Sequence, residues 1–226
     1  MDSIIKSSHN YIMDNTVGSL TQFQKSVIIG SILGDGYIRI VPGRKDAFLE
    51  INHSIKAKDY VDWKYSVLKN ICKSSPKARK SGEQRTAYRF FTKQHPEITV
   101  LSKRFYKDGK KIVSPDLKLD PVILAVWFMD DGSKTSKSDI YLNSQQFSFS
   151  DQRRFLHMLR QLGLRARLNR DKKYYRIRLL KESLGKLKQL IGPYVVPSMK
   201  YKLSYDPVET RISSKKTNRS FPNTES

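Results

Sequence analysis

The 226-residue sequence contains a single cysteine, Cys72, and no hydrophobic run long enough to span a bilayer. One cysteine excludes an internal disulfide and any zinc site built from several cysteines. The longest apolar runs, such as residues 27–33, fall far short of the ~20 residues of a transmembrane helix. No N-terminal stretch joins a basic region to a hydrophobic block, so we expect no secretory signal. These absences argue against a membrane protein and are compatible with a reducing compartment.

Acidic residues are also scarce, because 21 Asp and Glu stand against 43 Lys and Arg. The resulting net charge is +22 and the isoelectric point is near 10.0. Since an excess charge of this size destabilises a folded chain by self-repulsion, it predicts a polyanionic partner. Nucleic acid is the first candidate, and an anionic membrane surface is the second. Hydrophobic residues make up 38% of the chain, which predicts a folded core rather than a solvated tail.

Two apolar segments end in the same way, with an aspartate followed by a glycine. They read "IIGSILGDG" at 28–36 and "LAVWFMDDG" at 124–132, and their final aspartates, Asp35 and Asp131, are 96 residues apart. For either segment alone, a helix that ends beside a surface carboxylate is the simpler interpretation. However, a carboxylate at a helix C-terminus is electrostatically unfavourable, and the arrangement occurs twice. A cation between the two carboxylates would remove both penalties.

The segments that follow each aspartate repeat in the same order. Hydrophobic periodicity predicts helix–strand–strand–helix–strand–strand–helix in each half, an α+β fold with two pseudo-symmetric αββαββα halves. Such two-fold pseudo-symmetry suits a duplex DNA target. The expected divisions are an N-terminal extension at 1–20, a first half at 21–105, a linker at 106–118, a second half at 119–205 and a polar tail at 206–226.

Start signals mark three of the predicted helices. Thr21 with Gln24 forms a capping-box pattern before the first apolar helix. Asp120 followed by Pro121 fits the N-cap and first position of the second apolar helix. Ser150 is the predicted N-cap of the helix that follows the strands of the second half.

Glycine spacing predicts that the two apolar helices pack against each other. Gly30 and Gly34 leave one face of the first helix nearly bare, so another helix can approach at backbone distance. Asp35 and Asp131 would then lie side by side, and adjacent carboxylates repel unless they are protonated or bridged by a metal. Oxygen ligands favour Mg²⁺, and Mn²⁺ or Ca²⁺ can occupy the same kind of site. Such a site can activate a water for phosphodiester hydrolysis.

Four stretches resemble the LAGLIDADG homing endonuclease family, in its single-chain form with two motifs. They are "GSILGDGYIR", "WFMDDGSK", "LNSQQFSF" and "GPYVVPSMKYKL", and the resemblance spans roughly residues 22–205. It implies an intron-encoded, monomeric enzyme without an obligatory protein partner. It also implies antiparallel sheets that form a DNA-binding saddle, with the two motif helices at the central interface. Members of the family cut both strands of a long site in double-stranded DNA and leave short 3′ overhangs.

The resemblance also assigns the catalytic centre residue by residue. It implies that Asp35 and Asp131 are the catalytic metal ligands and that the backbone carbonyls of Gly34 and Asp130 help to hold the ions. One basic residue in each half is expected to polarise the scissile region. The matching positions are Lys111, with Lys110 as the alternative, and Lys202. The second motif departs from the family pattern because Val126 stands where a mid-helix glycine is expected, so we expect asymmetric helix packing.

Alternation along the predicted strands separates a core face from an outward face, which we expect to read DNA bases in the major groove. The outward residues are Tyr37, Arg39, Glu50, Asn52, Tyr141, Asn143, Gln145, Arg165, Arg167, Asn169, Tyr174, Arg176 and Arg178. Basic residues in loops are expected to contact phosphates, which gives affinity and salt dependence without sequence information. They are Arg44, Lys45, Lys56, Arg79, Lys80, Arg85, Lys134, Arg170, Lys172 and Lys173.

The histidines, in contrast, show no metal-ligand spacing. His9, His53, His95 and His157 are expected to cap helices or pack, and His53 is of most interest because it directly follows a strand expected to read DNA.

Two further function classes remain open. An RNA maturase that assists intron splicing, or a DNA-binding protein that no longer cleaves, would share the fold. A ribosomal or chromatin protein would explain the charge but not the paired aspartates. Each of these classes is compatible with an intracellular protein of an organelle, a bacterium or a phage.

Overall fold

The computed structural model describes residues 19–80, 85–135 and 139–203. The predicted polar tail at 206–226, and all but the last two residues of the predicted N-terminal extension, lie outside these ranges, as does His9.

The described residues form two halves with the same order of helices and strands. The first half contains α1 (Gln22–Leu33), β1 (Tyr37–Arg39), β2 (Phe48–Ser54), α2 (Lys58–Leu68), β3 (Lys77–Lys80), β4 (Thr86–Phe91) and α3 (Pro96–Phe105). A short hairpin, β5 (Tyr106–Lys107) and β6 (Lys110–Lys111), connects the halves. The second half contains α4 (Pro121–Asp131), β7 (Gly132–Lys134), β8 (Ile140–Leu142), α5 (Phe149–Gln161), β9 (Ala166–Asp171), β10 (Tyr174–Leu179) and α6 (Leu184–Ile191). The predicted order αββαββα is therefore confirmed in both halves.

Each half contains one four-stranded antiparallel sheet, and the two sheets share a topology. Their strand orders are β1-β2-β4-β3 and β7-β8-β10-β9. In both sheets alternate strand residues, such as Ile51, Phe90 and Ile177, enter the hydrophobic core, while their neighbours form the opposite face. None of the helices in the described ranges is both long enough and apolar enough to cross a bilayer.

The two apolar helices, α1 and α4, pack directly against each other. A Cβ atom added to Gly30 would lie 2.6 Å from the Cβ of Val126 and 2.8 Å from the carbonyl oxygen of Ile123. A Cβ added to Gly34 would overlap the side chain of Asp130. The backbones therefore approach as the glycine spacing predicts, and the first helix supplies the space. Residues 122–129 of α4 are all buried, as expected for a helix that is apolar on every side.

Two of the three predicted helix starts are confirmed. The Thr21 side chain accepts a hydrogen bond from the backbone N–H of Gln24, whose side chain accepts one from the backbone N–H of Thr21. Asp120 caps α4, and its second carboxylate oxygen accepts a 2.6 Å hydrogen bond from Ser26 of α1. The Ser150 prediction is wrong, because Ser148 has the extended backbone of an N-cap and accepts from the N–H of residue 151 at 3.1 Å. Ser150 lies inside the first turn of α5.

The segment predicted as a linker contains a hairpin with a defined position. Asp108 and Gly109 at its turn have positive φ angles of 50° and 72°, which suits a two-residue hairpin loop. The hydroxyl of Tyr106 accepts a 3.1 Å hydrogen bond from the backbone N–H of Ile38 in β1. Because Tyr106 pairs with Lys111 across the hairpin, this bond also fixes the position of Lys111.

Candidate functional site

The C-terminal ends of α1 and α4 bring three carboxylates together. Asp35 lies two residues after the end of α1, and its backbone N–H donates a 3.2 Å hydrogen bond to the Oδ2 atom of Asp130 in α4. The Asp35 side chain is 50% exposed, so it faces solvent at the mouth of the site. Asp131 is the last residue of α4, and its Oδ2 atom is buried without a hydrogen-bond partner among the described residues.

The surroundings of Asp131 disfavour the charged form of its carboxyl. Burial, followed by the charges of Asp130 and Asp35, raises the pKa of the Asp131 carboxyl to about 8. Without a cation, this carboxyl is therefore largely protonated at neutral pH. A divalent ion would restore the charged form and would give the buried oxygen a partner.

Two lysines from outside the motif helices point into the same site. The Nζ atom of Lys111 donates a 2.6 Å hydrogen bond to the carbonyl oxygen of Gly34. Lys202, at the end of the 3₁₀ segment Pro197–Lys202, donates to the carbonyl oxygens of Met129 at 2.6 Å and Asp130 at 3.3 Å. Burial lowers the pKa of both lysines, although the nearby carboxylates oppose this shift. Lys110, the alternative to Lys111, is exposed.

A fully buried ion pair lies beneath the paired aspartates and was not predicted. Lys64 of α2 donates to Asp130 Oδ1 at 2.8 Å and Oδ2 at 3.0 Å, and both side chains are 0% exposed. Burial alone would raise the pKa of Asp130, but Lys64 and His53 outweigh it and hold the pKa below its ordinary value. A sequence signal was available, because Lys64 interrupts the apolar stripe of α2 between Tyr60 and Leu68.

His53, which is buried and packs against the ring of Tyr60 as expected, also lies in this cluster. Its Nδ1 atom is 3.5 Å from Asp35 Oδ2, and its Nε2 atom is 3.6 Å from Asp130 Oδ1. One ligand atom from each of these three residues lies within 4.8 Å of the others. Burial, followed by the charge of Lys64, lowers the pKa of His53, so the imidazole is neutral at physiological pH.

The other two histidines of the described ranges lie elsewhere. His95 caps α3, where its Nδ1 atom accepts from the backbone N–H of Glu97 at 3.2 Å, as expected. His157 is exposed on α5 and lies 3.2 Å from the side-chain nitrogen of Gln161.

Among the described residues of the second half, the polar cluster has no counterpart. His53 precedes the start of α2 by five residues, and Ser144 precedes the start of α5 by the same distance. Ser144 is fully buried and donates to Gln152 at 3.0 Å. The position in α5 that matches Lys64 is Phe155, whose ring packs 4.4 Å from the ring of Trp127. The two halves therefore support their motif aspartates differently.

The outward face of the first sheet is polar, but its residues are partly paired. Tyr37, Arg39 and Asn52 are exposed, as predicted. Glu50 shares their face but is only 8% exposed, because Arg39 Nε lies 2.5 Å from its Oε2 atom. Glu50 is therefore not the free acceptor that alternation alone suggested. Arg89, directly opposite Asn52 in β4, belongs to the same face and was not predicted.

The outward face of the second sheet carries a basic cluster. The strand register aligns Tyr141, Arg178 and Arg167 across three strands, with Arg176 beside Asn169 on the same face. Tyr141, predicted to be exposed, is only 6% exposed, and several of the other side chains are already engaged. The guanidinium of Arg176 lies 4.0 Å over the ring of Tyr141, Arg178 pairs with Asp139, Arg165 pairs with Glu182, and Gln145 donates to Asp171. The remaining predicted residues of this surface are Asn143, which is half-buried, and Tyr174, which is 48% exposed.

Four of the residues predicted to contact phosphates from loops lie in strands instead: Arg79 and Lys80 in β3, Lys134 in β7 and Arg170 in β9. All of the predicted residues are exposed except Lys134, which is half-buried. Lys80 and Arg85 flank residues 81–84, which are not described. The exposed residues are Arg44, Lys45, Lys56, Arg79, Lys80, Arg85, Arg170, Lys172 and Lys173.

A sequence profile described as the LAGLIDADG DNA endonuclease family matches residues 25–187, which include both motif aspartates and both sheets. The chain belongs to this family. The resemblance of its motifs is thereby confirmed, and Asp35 and Asp131 occupy the ends of the two LAGLIDADG helices.

Similar proteins include both nucleases and maturases. The "Cytochrome b mRNA maturase bI2" of Saccharomyces cerevisiae is 28% identical over 210 residues, covering 84% of this chain and 49% of the relative. The "Probable intron-encoded endonuclease 1" of Wickerhamomyces canadensis is 29% identical, covering 83% of this chain and 87% of the relative. The "Protein RecA" of Mycolicibacterium flavescens is 33% identical, covering 81% and 47% respectively. This chain thus spans about half the length of the maturase and of the RecA relative.

Among solved structures, the homing endonuclease I-WcaI bound to its DNA recognition sequence is similar, with a TM-score of 0.78 and 26% identity. The match covers 84% of this chain and 89% of the I-WcaI chain. The LAGLIDADG fold therefore extends over nearly all of the described residues.

Proposed function

We propose that this protein is a site-specific endonuclease that hydrolyses both strands of a long recognition site in double-stranded DNA and leaves 3′ overhangs. The observation that carries the proposal is the convergence of Asp35 and Asp131 at the ends of the motif helices, each accompanied by a half-buried lysine. The net charge of +22 and the basic outward faces of the sheets support a DNA partner. The structural relative I-WcaI is itself bound to its DNA recognition sequence.

The residues at this site fit Mg²⁺ as a resident cofactor. The buried, unpartnered Oδ2 atom of Asp131 and its raised pKa are the features that a divalent cation would relieve. Asp35, Asp131 and the carbonyl oxygens of Gly34 and Asp130 would hold the ions, and all four groups offer the oxygen ligands that Mg²⁺ prefers. When bound, Mg²⁺ supplies activation of a water and stabilisation of the leaving oxygen.

The side chains of the protein then have separate roles in the reaction. Lys111 and Lys202, whose ammonium groups contact the carbonyl oxygens around the site, stabilise negative charge that develops on the phosphate. Asp130 accepts from the backbone N–H of Asp35 and so orients that residue. The two sheets, as a saddle, place exposed side chains such as Arg39 along the major groove, while loop lysines contact phosphates. One chain supplies both halves, so we expect a monomer.

Cleavage of a randomised duplex library tests this function. The purified full-length chain is incubated with the library and Mg²⁺, and the cut ends are sequenced. We expect one long consensus with staggered cuts on both strands and 3′ overhangs. Absence of any enriched cut site, with the protein shown to be folded and to bind duplex DNA, would contradict the proposal.

A second candidate function, RNA maturation, is favoured by one observation. The Saccharomyces cerevisiae relative is a cytochrome b mRNA maturase, and it is 28% identical to this chain. Both motif aspartates are retained here, however, which favours the nuclease. A splicing assay with the intron that surrounds the coding sequence separates the two functions. If Asp131→Asn still stimulates splicing, and the unsubstituted protein leaves the intron-insertion site intact, the maturase function is the better account.

A further inference from the structure

The position of His53 relative to Asp35 suits a shared metal ion. The Nδ1 atom of His53 and the Oδ2 atom of Asp35 are 3.5 Å apart. Ligand atoms of these types lie about 2.1 Å from a divalent ion. Two atoms at that radius with a 3.5 Å separation subtend an angle of about 110° at the ion, which is an ordinary coordination angle. The separation of the two atoms is therefore compatible with one shared ion.

The second ring nitrogen of His53 has the surroundings of a metal-bound histidine. The His53 side chain is only 9% exposed, and its Nε2 atom is buried without a hydrogen-bond partner among the described residues. This nitrogen faces Asp130 Oδ1 at 3.6 Å, slightly beyond hydrogen-bond range. Metal-bound histidines usually donate their second ring N–H to a carboxylate, which fixes the tautomer and directs the free lone pair at the metal.

Lys64 holds Asp130 in place as the carboxylate that faces the Nε2 atom of His53. Because Lys64 binds both carboxylate oxygens of Asp130, the carboxylate is held in place and its charge is balanced. The Tyr60 ring, 5.4 Å from the His53 ring, closes another side of the imidazole. On the Nδ1 side, the neighbouring carboxylate is that of Asp35, whose side chain is half exposed.

The second half cannot provide the same ligand. Ser144 occupies the position that corresponds to His53, and its hydroxyl is fully buried against Gln152. Asp131 consequently has no imidazole in the equivalent place. The two motif aspartates, which share a position in the repeat, therefore differ in the atoms that surround them.

We propose that His53, together with Asp35, is a nitrogen ligand of one divalent cation, so that the first half binds metal through nitrogen and oxygen and the second half through oxygen alone. This inference rests on the proposed function only in that Asp35 binds a metal. Imidazole nitrogen favours Mn²⁺, Co²⁺ and Zn²⁺ relative to Mg²⁺, whereas oxygen ligands do not. The cation bound by His53 and Asp35 is therefore selected for Mn²⁺ over Mg²⁺ more strongly than the cation bound by Asp131.

Pulsed electron paramagnetic resonance with Mn²⁺ as the probe tests this directly. The full-length protein is loaded with Mn²⁺ alone, and the electron spin echo is examined for modulation by imidazole ¹⁴N. A second sample carries ¹⁵N-labelled histidine, so that histidine signals are separated from those of the backbone. We expect ¹⁴N modulation in the unlabelled protein and its replacement by ¹⁵N coupling in the labelled protein.

Variants assign the signal to one histidine. His53→Gln should lose the imidazole coupling and weaken Mn²⁺ affinity ~10-fold or more, while Mg²⁺ affinity changes less. His157→Gln is the matched control, because His157 is exposed on α5, and it should keep the coupling unchanged. If His53→Gln does not fold, coupling that is retained in His9→Gln and His95→Gln, as in His157→Gln, assigns the signal to His53 by exclusion.

Two results would overturn the proposal: Mn²⁺ that binds without histidine coupling, or coupling that His53→Gln retains. Neither result depends on DNA cleavage. Cleavage is measured separately on the same preparation, with Mg²⁺ and the randomised duplex library. Histidine coupling in a protein that cuts no DNA would support the metal ligand while rejecting the nuclease. Cleavage without coupling would support the nuclease while rejecting the ligand.

Discussion

Replacement of Lys64 by methionine should destabilise the protein more than any other single lysine change within α2. Lys64 and Asp130 are both 0% exposed, and Lys64→Met leaves Asp130 as a buried carboxylate without its cation. Removal of one partner of a buried ion pair costs about 3–5 kcal/mol of unfolding free energy. Methionine preserves most of the buried stem, so the loss reflects charge rather than a cavity.

The unfolding free energy lost in Lys64→Met should depend on pH, and the loss should be larger near neutral pH than at acidic pH. In the unsubstituted protein the pKa of Asp130 lies below its ordinary value, so its stabilising contribution is present above the unfolded pKa and is lost as pH falls through the folded pKa. In Lys64→Met the same buried carboxyl has a raised pKa, because burial is no longer opposed by an ammonium group. That variant gains stability as pH falls toward about 4, so the difference between the proteins is largest near neutral pH.

Urea denaturation at about pH 7 and about pH 5 measures both effects. The matched control is Lys58→Met, since Lys58 pairs with Asp62 on the exposed side of the same helix and its loss should not measurably shift the urea midpoint. Asp130→Asn added to Lys64→Met should recover part of the loss, because it removes the uncompensated charge. If Lys64→Met and Lys58→Met have the same midpoint, the reasoning about this buried pair is wrong.

Three further outcomes follow from the same structure. Asp131→Asn should raise the melting temperature of the metal-free protein at neutral pH. Because the pKa of the wild-type carboxyl is about 8, the folded protein loses stability as pH rises from about 4 to about 8, and asparagine removes this loss. Gly30→Ala should cost ~1–3 kcal/mol in urea denaturation, since its Cβ would lie 2.6 Å from that of Val126, whereas Gly185→Ala in α6 meets no atom within 4 Å and should not destabilise. Lys173→Ala should lower the salt dependence of DNA binding by about one counterion without a change in sequence preference.

The fold was largely predictable because its signals are local. Apolar periodicity, the capping box at Thr21 and the Asp-Pro start of α4 each act within a few residues of sequence. Gly30 and Gly34 predicted the helix contact, because a face without side chains at that spacing lets another helix approach at backbone distance. Ser148 was missed because Ser150 offers the same cap chemistry two residues later.

The supporting residues of the site could not be predicted in the same way. His53 and Asp130 come from separate halves, and only the packing of α1 against α4 brings the Asp130 carboxylate next to His53 and Lys64. Glu50 illustrates the same limit, because alternation gives its face but not the ion pair with Arg39 that covers it. Pairing across the fold, rather than strand or helix pattern, decides which charges remain free.

The central claim is that Asp35 and Asp131 act together, with bound divalent ions, to cut duplex DNA. The most direct measurement compares the unsubstituted protein with Asp35→Asn and Asp131→Asn on a duplex recovered from the library, with binding and cleavage recorded in Mg²⁺. We expect both variants to bind the duplex while cleavage is lost. Undiminished cleavage by either variant would contradict the account.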